Sequence, residues 1–514
     1  MNTVFDALFS AFANLSTPMM LFNVVWATLL GIFVGALPGL TATMGVALLT
    51  TLTYSLDRDA AILVLICMYV GAIYGGSRSA ILLNIPGTPA SAATALDGFP
   101  LVRQGKGALA MAIATLGSML GTLVGIVMLI AIAPPLAEAA FGFGSYEFFW
   151  LALFGIVISG QLTHSGEPLK GYMAGLIGLS VAMIGSEGIH SYVRFNFDIQ
   201  QMNGGIDLIP AMVGAFGFAE VLFAMTLPAA QMVEKKSVPA PIRDLLKSVW
   251  RYKRTVFESG VIGTLVGIIP GVGEDIGAWG SYAAAKRHSK ERAEFGKGSQ
   301  EGLIAAETGN SAVVPGSLIP TLTLGVPGSA SAAVLIAALF LHGVRPGPMI
   351  MFDQPEMIYT IAVMLIFATI AMGVFGMALT PVFVRVLKVP RTILMPLVFC
   401  LCVIGPYALT QRIFDIWVMF FFGVVGYVLR RLNYPMAPLV LGIILGSLLD
   451  KSLRRGLILS NGDITAFFTR PVSAGFAIVI ALIILLSIPP VRRLLQFKRR
   501  GGSANREETG NGAD

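Results

Sequence analysis

Of the ionisable side chains within or beside long apolar stretches of this sequence, where charge is costly, four are the main candidates for chemistry. Glu274 and Asp275 directly follow a Pro-Gly-Val-Gly sequence, and Glu307 lies three residues before Asn310. Ionisable residues in such segments are functional candidates by default, and carboxylates suit the binding of Na+ or H+. Arg78 suits a carboxylate ligand because its guanidinium is a planar fork of donors. An internal ion pair between Arg78 and one of the three carboxylates is the alternative interpretation.

Proline and glycine interrupt the apolar stretches at four places. The interruptions are Pro38 and Gly39, Pro86 and Gly87, Pro270 and Gly271, and Pro327 and Gly328. Proline removes a backbone donor and glycine permits a sharp turn. The first and third pairs therefore predict hairpins with tips inside a membrane, and the second and fourth pairs predict broken helices. In a bilayer such breaks are tolerated only where they are buried in protein or line water.

Each predicted break frees backbone amides at a helix N-terminus, which favours anions. Neutral donors cluster there and are the predicted anion ligands: Thr41, Thr43, Asn84, Thr88 and Ser91 in the first half, and Asn310, Ser311, Ser329 and Ser331 in the second. Arg78 adds a positive charge to this set, and Glu274, Asp275 and Glu307 are the predicted cation ligands. The alternative is ordinary kinks, in which serine and threonine bond their own backbone.

The composition sets the class of protein. The chain has 514 residues, of which 55% are hydrophobic and 12% charged, with a mean hydropathy of +0.79. Soluble domains are typically about 25% charged, so a bilayer has to accommodate this much apolar sequence. The 58 glycines suit close helix packing in membranes. The three cysteines form no Cys-x-x-Cys pair and are interpreted as packing residues.

Apolar runs long enough to span a bilayer recur along the chain. The clear ones are 60–83, 108–133, 207–230, 357–384 and 472–490. Shorter or interrupted ones are 20–37, 41–56, 147–162, 170–185, 255–269, 313–341, 393–408, 413–429 and 434–449. The sequence therefore predicts an all-α polytopic membrane protein with about 12 membrane segments.

Lys and Arg orient these segments, because short basic loops stay in the cytoplasm. Residues 234–254 hold seven Lys or Arg, 286–297 hold five, and 492–500 hold five. Residues 134–147 hold none, so this loop is predicted to lie outside. The first twenty residues also hold none, and no cleavable signal peptide is expected. The C-terminus is predicted to be cytoplasmic.

An internal repeat divides the chain. GIFVGALPGL at 31–40 matches GTLVGIIPGV at 263–272, and NIPGTPASAA at 84–93 matches GVPGSASAA at 325–333. Order and approximate spacing are kept, which predicts two repeats. The predicted units are an N-terminal segment 1–19, a first transmembrane repeat 20–233, a basic cytoplasmic linker 234–254, a second repeat 255–450, an extra membrane segment with its preceding loop 451–490, and a disordered tail 491–514.

Loop charges predict that the two repeats have opposite orientations. The turn after the first Pro-Gly motif carries only Arg58 in the first half but five basic residues in the second. Each matched pair of loops switches sides in this way. Inverted repeats are a common transporter plan, with the substrate site at the repeat interface near mid-membrane. One stretch disagrees, because KSLRR at 451–455 is placed outside against the positive-inside rule.

Two long stretches resemble a known family. YGGSRSAILLNIPGTPASAATALDGFP at 74–100, together with residues 295–348, is similar to the large membrane (permease) subunit of the tripartite tricarboxylate transporter family, TctA-like. The resemblance covers nearly the whole chain up to about residue 490. Arg78 and the pair Thr308 and Gly309 depart from the family's pattern, which leaves the particular substrate open.

The resemblance implies a secondary transporter that imports carboxylate anions across the bacterial inner membrane, driven by a Na+ or H+ gradient. It also implies two partners, a small four-helix membrane subunit and a periplasmic substrate-binding protein. No cofactor is expected. A membrane enzyme or a scaffold without transport activity is the alternative class. The sequence contains no Walker A, HExxH or GxSxG motif, and its four histidines lie apart and suggest no metal site.

Overall fold

A computed structural model describes residues 2–37, 40–162, 168–226, 242–379 and 391–487, and nearly all of them are helical. The first half contains α1 (Asn2–Leu15), α2 (Pro18–Ala36), α3 (Ala42–Leu52), α4 (Arg58–Leu83), α5 (Ser91–Arg103), α6 (Gly107–Phe141), α7 (Ser145–Leu162), α8 (Pro168–Ala182), α9 (Leu208–Met212) and α10 (Ala219–Thr226). A π-helical stretch, Val213–Phe218, joins the last two. Strands β1 (Gly185–Ser186) and β2 (Val193–Arg194) pair antiparallel.

The rest of the described chain is also helical. It contains α11 (Ile242–Arg251), α12 (Lys253–Ile268), α13 (Gly273–His288), α14 (Gln300–Leu324), α15 (Ala330–Leu341), α16 (Ile350–Asp353), α17 (Met357–Ala378), α18 (Arg391–Thr410), α19 (Ile413–Arg431), α20 (Met436–Leu459), α21 (Ala466–Thr469) and α22 (Pro471–Ser487). Short 3-10 turns occur at Thr53–Ser55, Gln200–Met202 and Arg292–Glu294.

Eight helical stretches of the described residues are long and apolar enough to cross a bilayer. They are Pro18–Ala36, Arg58–Leu83, Gly107–Phe141, Leu208–Thr226, Met357–Ala378, Ile393–Thr410, Ile413–Arg431 and Met436–Leu459. The predicted all-α, multi-pass membrane fold is therefore correct. The count of about 12 crossings and the opposite orientation of the repeats stay predictions.

Several boundaries differ from the sequence prediction. Helix α6 continues through Pro134 and Pro135 to Phe141, so the loop predicted at 134–147 is shorter than expected. Neighbouring helices let membrane helices tolerate proline.

Other segments also differ from the sequence prediction. The interrupted segment 313–341 is two helices, and the first of them begins at Gln300. Within the predicted linker 234–254, residues 242–251 form α11. Residues 2–15, predicted only as an N-terminal segment, form α1. Pro38, Gly39 and the tail 491–514 lie outside the described residues.

Two helices, α4 and α14, form the centre of the fold. Every residue in the most apolar part of α4 is buried, and α14 is buried from Gly302 to Thr323. Both helices are enclosed by other helices, so their polar side chains are shielded from the lipid by protein. Polar groups inside a membrane protein face the bundle interior for this reason.

Glycines bring a partner helix close to each central helix. A Cβ atom on Gly31 of α2 would lie 2.6 Å from the Met68 carbonyl oxygen of α4. A Cβ atom on Gly267 of α12 would lie 2.8 Å from the Val313 carbonyl oxygen of α14. Small residues permit such close backbone approach in membranes. The two matched sequence motifs therefore make matched helix pairs, α2 with α4 and α12 with α14.

The next helices cross between the halves. Helix α6 of the first half packs on α14 of the second, and α17 of the second half packs on α4 of the first. Gly121 of α6 lies directly against the backbone of Thr308, and Gly125 lies against Pro315. The two halves are therefore interleaved and do not form separate bodies. Outside this core, α7 and α8 pack with α20, and α9 and α10 pack with α19.

At one end of the bundle, the carboxylate of Asp97 in the first half forms hydrogen bonds to residues of the second half. Asp97 of α5 is fully buried and accepts the hydroxyl hydrogen bond of Tyr282 at 2.9 Å. It also accepts hydrogen bonds from the backbone N–H groups of Gly296, Gly298 and Ser299 at 2.8, 2.9 and 2.8 Å. Asp97 thereby fixes the loop that leads into α14.

An ion-pair network lies at the other end. Arg194 bonds Asp450 at 2.9 and 3.2 Å, and Arg454 bonds Asp450 at 3.0 Å and Glu187 at 3.1 Å. Desolvation favours a raised pKa at Glu187, but hydrogen bonds from the backbone and ring of His190 and the charge of Arg454 outweigh it. The pKa of Glu187 is therefore held below its usual value. Part of the unexpected basic stretch 451–455 is thus neutralised by acidic neighbours.

Candidate functional site

The two central helices end in the same way. Asn84, which caps the C-terminus of α4, has φ 56°, and Gly325, which caps the C-terminus of α14, has φ 68°. Glycine and asparagine are the residues that adopt this left-handed conformation most readily. The predicted helix breaks are therefore present, at 84–90 and at 325–329, and each is followed by a new helix, α5 or α15.

Backbone contacts hold each break against its own half. Gly87 lies directly against the Gly35 carbonyl oxygen, and Gly328 lies directly against the Gly267 carbonyl oxygen. No side chain larger than hydrogen fits at either position. The second Pro-Gly turn also bonds to the second break, because Gly271 N–H donates to the Pro327 carbonyl at 3.1 Å.

Helices of one half meet the break of the other half. Thr43 of α3 hydrogen-bonds to Ser331 of α15 at 3.1 Å. Asp275 of α13 accepts the backbone N–H of Ala90, just before α5. Thr41 lies at the start of α3 and caps it by accepting the Met44 N–H at 3.2 Å. The structure thus brings both breaks close to α3 and α13, the helices that follow the two Pro-Gly motifs.

A buried hydroxyl network, the Tyr69 cluster, lies at the second break. It consists of Tyr69, Glu274, Ser317 and Ser329. The Tyr69 hydroxyl donates to the Glu274 carboxylate and hydrogen-bonds to Ser317 at 3.2 Å and Ser329 at 2.7 Å. Ser329 also caps α15 by accepting the Ala332 N–H at 3.1 Å. Sequence analysis predicted Glu274 and Ser329 but missed Tyr69 and Ser317.

The first break is different, because its hydroxyls bond to their own backbone. Ser91 Oγ donates to the Thr88 carbonyl at 2.7 Å and accepts the Thr88 N–H at 3.1 Å. Asn84 and Pro86 are exposed. At this break the alternative interpretation of local serine and threonine bonding describes the observed contacts. The structure does not bring Asn84 into the buried polar region.

Asn310 of α14 is the unusual group in this region. Its side chain is fully buried, yet neither its amide oxygen nor its amide nitrogen has a hydrogen-bond partner within the described residues. Seven residues make nearly two turns of a helix, so Asn310 shares a helix face with Ser317 of the Tyr69 cluster and lies about 10 Å from it along the axis. Ser311 beside it is also buried. An unpaired buried polar group costs ~1–3 kcal/mol.

A second polar network, the Glu307 cluster, lies one turn before Asn310. It consists of Glu307, Ser77, Thr94 and Ser118, all fully buried. Ser77 and Thr94 donate to Glu307 Oε1, the former at 2.6 Å, and Ser118 donates to Oε2 at 2.8 Å. The three donors come from α4, α5 and α6. Sequence analysis found Glu307 and none of its three partners.

Arg78 lies next to the Glu307 cluster and is fully buried. It donates to the Thr115 hydroxyl at 2.6 Å and to the Met111 carbonyl at 3.3 Å, and its guanidinium stacks over the Tyr74 ring at 4.3 Å. It interacts electrostatically with Glu307. Of the three carboxylates suggested as its ion-pair partner, Glu307 is the one whose charge acts on it.

The described residues thus define a class: a multi-pass, all-helical membrane protein with broken central helices and buried polar clusters. Comparison with known proteins gives the family. The model of the tripartite tricarboxylate transporter TctA family matches residues 21–441, and the chain belongs to this family. It is therefore a membrane transport protein, as the sequence resemblance predicted.

Two relatives come from Agrobacterium vitis. One, described as an uncharacterized 52.8 kDa protein in the TAR-I ttuC' 3'region, is 34% identical over 477 residues, which are 91% of this chain and 94% of the relative. The other, described as an uncharacterized protein in the TAR-II ttuC' 3'region, is 35% identical over 231 residues, 45% of this chain and 96% of the relative. No solved structure matches the chain.

Proposed function

We propose that this protein is the large permease subunit of a binding-protein-dependent secondary transporter that imports a tricarboxylate or related organic acid. The importer uses a Na+ or H+ gradient and lies in the bacterial inner membrane with its C-terminus in the cytoplasm. A small four-helix membrane subunit and a periplasmic substrate-binding protein complete it. Membership of the TctA family supports the class of system.

The orphaned amide of Asn310 carries the proposal of a substrate site. A side-chain amide offers two donors and one acceptor group, and here all of them are buried without a partner in the described chain. A bound carboxylate would accept the amide N–H bonds and remove the cost of leaving them unmade. Neutral donors also suit a carrier, because the anion has to leave on the other side.

Contacts between loops support the proposed orientation of the two repeats. Segments that the charge pattern places outside touch one another, as in the ring contact between Phe141 and Phe352, whose planes are tilted by 34°. Loops that it places inside also touch, as in the bond from Gln104 to the Lys297 carbonyl. Cysteine labelling tests this: Ala139→Cys should react from the periplasm and Ser289→Cys only in opened membranes. Cytoplasmic labelling of position 139 would reject the orientation.

Uptake by the reconstituted three-component system tests the function. The full chain, its small subunit and its binding protein are placed in liposomes and offered radiolabelled di- and tricarboxylates, beginning with citrate. Asn310→Ala should lower apparent affinity or rate about ten- to a hundredfold, because a hydrogen bond to a charged group contributes ~1.5–3 kcal/mol. The matched control is Asn23→Ala, another buried asparagine, which lies on α2.

The control variant should transport like the parent. Membrane abundance is measured for the parent, Asn310→Ala and Asn23→Ala. Equal uptake by parent and Asn310→Ala at equal abundance would move the substrate site elsewhere. No substrate-dependent uptake by the parent with any carboxylate would favour the alternative, a membrane enzyme or scaffold.

A further inference from the structure

We propose that Glu307 is the proton-carrying group of the transport cycle and that Ser77, Thr94 and Ser118 hold its carboxyl group in both protonation states. This inference rests on the proposed function, which leaves Na+ and H+ open, and it selects the proton. It also separates Glu307 from Glu274 and Asp275, the two carboxylates at the second Pro-Gly turn.

Convergence is the first argument. One carboxylate from α14 receives hydroxyl hydrogen bonds from three other helices, α4, α5 and α6, and every partner is fully buried. Hydroxyl groups rotate and can donate or accept. They can therefore donate to the carboxylate when the site is ionised, and one of them can accept from the acid when it is protonated. A hydroxyl partner is therefore present for the carboxyl group in either protonation state.

The spacing of the oxygen atoms is the second argument. Ser77 and Ser118 lie 2.6 and 2.8 Å from the carboxylate oxygens. These are ordinary hydrogen-bond separations, which a proton occupies without movement of any heavy atom. A sodium ion among the same oxygens would have to push them apart.

Helix packing opposes that expansion. A Cβ atom on Gly117 of α6 would lie 3.2 Å from the Glu307 Cβ atom, and Gly121 lies directly against the Thr308 backbone. Helices α6 and α14 are thus in backbone contact on both sides of the Ser118 bond. Close-packed interiors resist even small changes in volume. The separation of the oxygen atoms and the close packing of α6 on α14 therefore favour a proton over a metal ion at the Glu307 cluster.

The charged groups around the site are few. On α4, Arg78 interacts electrostatically with Glu307. On α5, Asp97 is occupied by the N–H groups of the 296–299 loop. On α13, Glu274 is bonded to Tyr69. On α6 the ionisable residue is Glu138, five turns from Ser118 by helix geometry.

The remaining neighbours are also engaged with other partners. Asp275 of α13 accepts the Ala90 N–H. Glu301 of α14 accepts hydrogen bonds from Thr255 and Ser289, and Glu258 of α12 pairs with His288. Helix α17 carries no ionisable side chain except Tyr359 in its first turn. In each cycle a proton from water on the entry side binds a Glu307 oxygen, and the same proton leaves to water on the exit side.

Two transport assays with the reconstituted complex separate this role from a structural one. The probe is the radiolabelled carboxylate that the parent takes up fastest. One assay measures accumulation driven by an inward proton gradient, and the other measures exchange of labelled for unlabelled substrate without a gradient. A pH-sensitive dye inside the liposomes reports proton entry.

Glu307→Gln imitates the protonated acid and keeps its shape. Exchange should continue, whereas accumulation in a gradient of one pH unit should fall about tenfold, because one coupled proton supports a tenfold concentration ratio. Substrate-linked acidification should disappear. Glu301→Gln, on the same helix, is the matched control and should behave as the parent in both assays.

Several results would overturn the assignment. They are gradient-driven accumulation by Glu307→Gln at the parent level, the same split between assays at Glu274→Gln instead, and parent accumulation that follows a sodium gradient and ignores a proton gradient. In each of these cases the proposed transport function stands. Failure of the parent to take up any carboxylate would instead reject the function itself.

If Glu307→Gln does not reach the membrane, Ser118→Ala tests the same cluster. It keeps the acid and removes one of the hydroxyl groups that stabilise its ionised form. The pH at which uptake is half-maximal should move upward, with acidification retained. An unchanged pH profile would contradict the role of this cluster.

Discussion

At the first helix break Ser91 and Thr88 bond each other's backbone, whereas at the second break Ser329 bonds Tyr69 across the halves. The backbones of the two breaks are nevertheless alike, with Gly87 and Gly328 each pressed against a glycine carbonyl of its own half. The repeated sequence therefore specifies the scaffold. The polar network depends on residues such as Tyr69, which lies outside the repeated motifs. Substitution of the scaffold glycines Gly87 and Gly328 should therefore destabilise the protein to a similar extent. Removal of a hydroxyl group should reduce uptake more at the second break than at the first.

The largest effect is expected at the two scaffold glycines. A Cβ atom on Gly328 would clash with the Gly267 carbonyl and lie 2.7 Å from the Ser317 Cα atom, and one on Gly87 would lie 2.8 Å from the Gly76 Cα atom. Backbone cannot yield as side chains do, so Gly328→Ala and Gly87→Ala should each cost about 3 kcal/mol or more.

Membrane abundance and thermal unfolding in detergent measure this effect. Gly475→Ala, at a position with nothing within 4 Å, is the control and should match the parent. If only one of the two glycine variants loses folded protein, the breaks are not equivalent scaffolds and the comparison fails.

An intermediate effect is expected for Tyr69→Phe. The change removes the hydroxyl that links Glu274, Ser317 and Ser329, while the ring keeps its packing. A bond to a charged group contributes ~1.5–3 kcal/mol, so uptake should fall about ten- to a hundredfold. Tyr54→Phe, which changes an exposed tyrosine, is the control. Parent-level uptake by Tyr69→Phe would mean that the Tyr69 cluster is only structural.

The smallest effect is expected for Ser91→Ala. The serine loses only bonds to the neighbouring Thr88 backbone, a change of about 1 kcal/mol in stability. Ser329→Ala should reduce uptake far more at comparable abundance. Equal losses of uptake for the two variants would show that the first break also contacts the substrate.

Sequence patterns were sufficient for the scaffold. Apolar runs located the long helices, and the repeated Pro-Gly motifs located both breaks, because these features depend on local backbone chemistry. The partners of Glu307 could not be found this way. Ser77, Thr94 and Ser118 lie on three helices, and each looks like a single hydroxyl in an apolar run. Their convergence is a property of packing between helices distant in sequence.

Asn310, unlike the partners of Glu307, could be named from the sequence. Its residue type and its place near the second break were enough to name it as a ligand candidate, but its lack of partners is visible only in three dimensions. The separation of Glu307 from Glu274 is another result of packing. The sequence grouped them as one set of cation ligands, whereas each has its own network of hydroxyl partners.

The crossed packing of α6 on α14 and α17 on α4 has a consequence for biogenesis. Chains emerge from the ribosome N-terminus first, so α6 is made about 160 residues before its main partner, by the positions of the two helices. Until then Asp97 lacks the N–H groups of the 296–299 loop. We therefore expect the first half to need the second half in order to complete its fold in the membrane. A messenger truncated after the first repeat should therefore yield a chain that membrane proteases degrade.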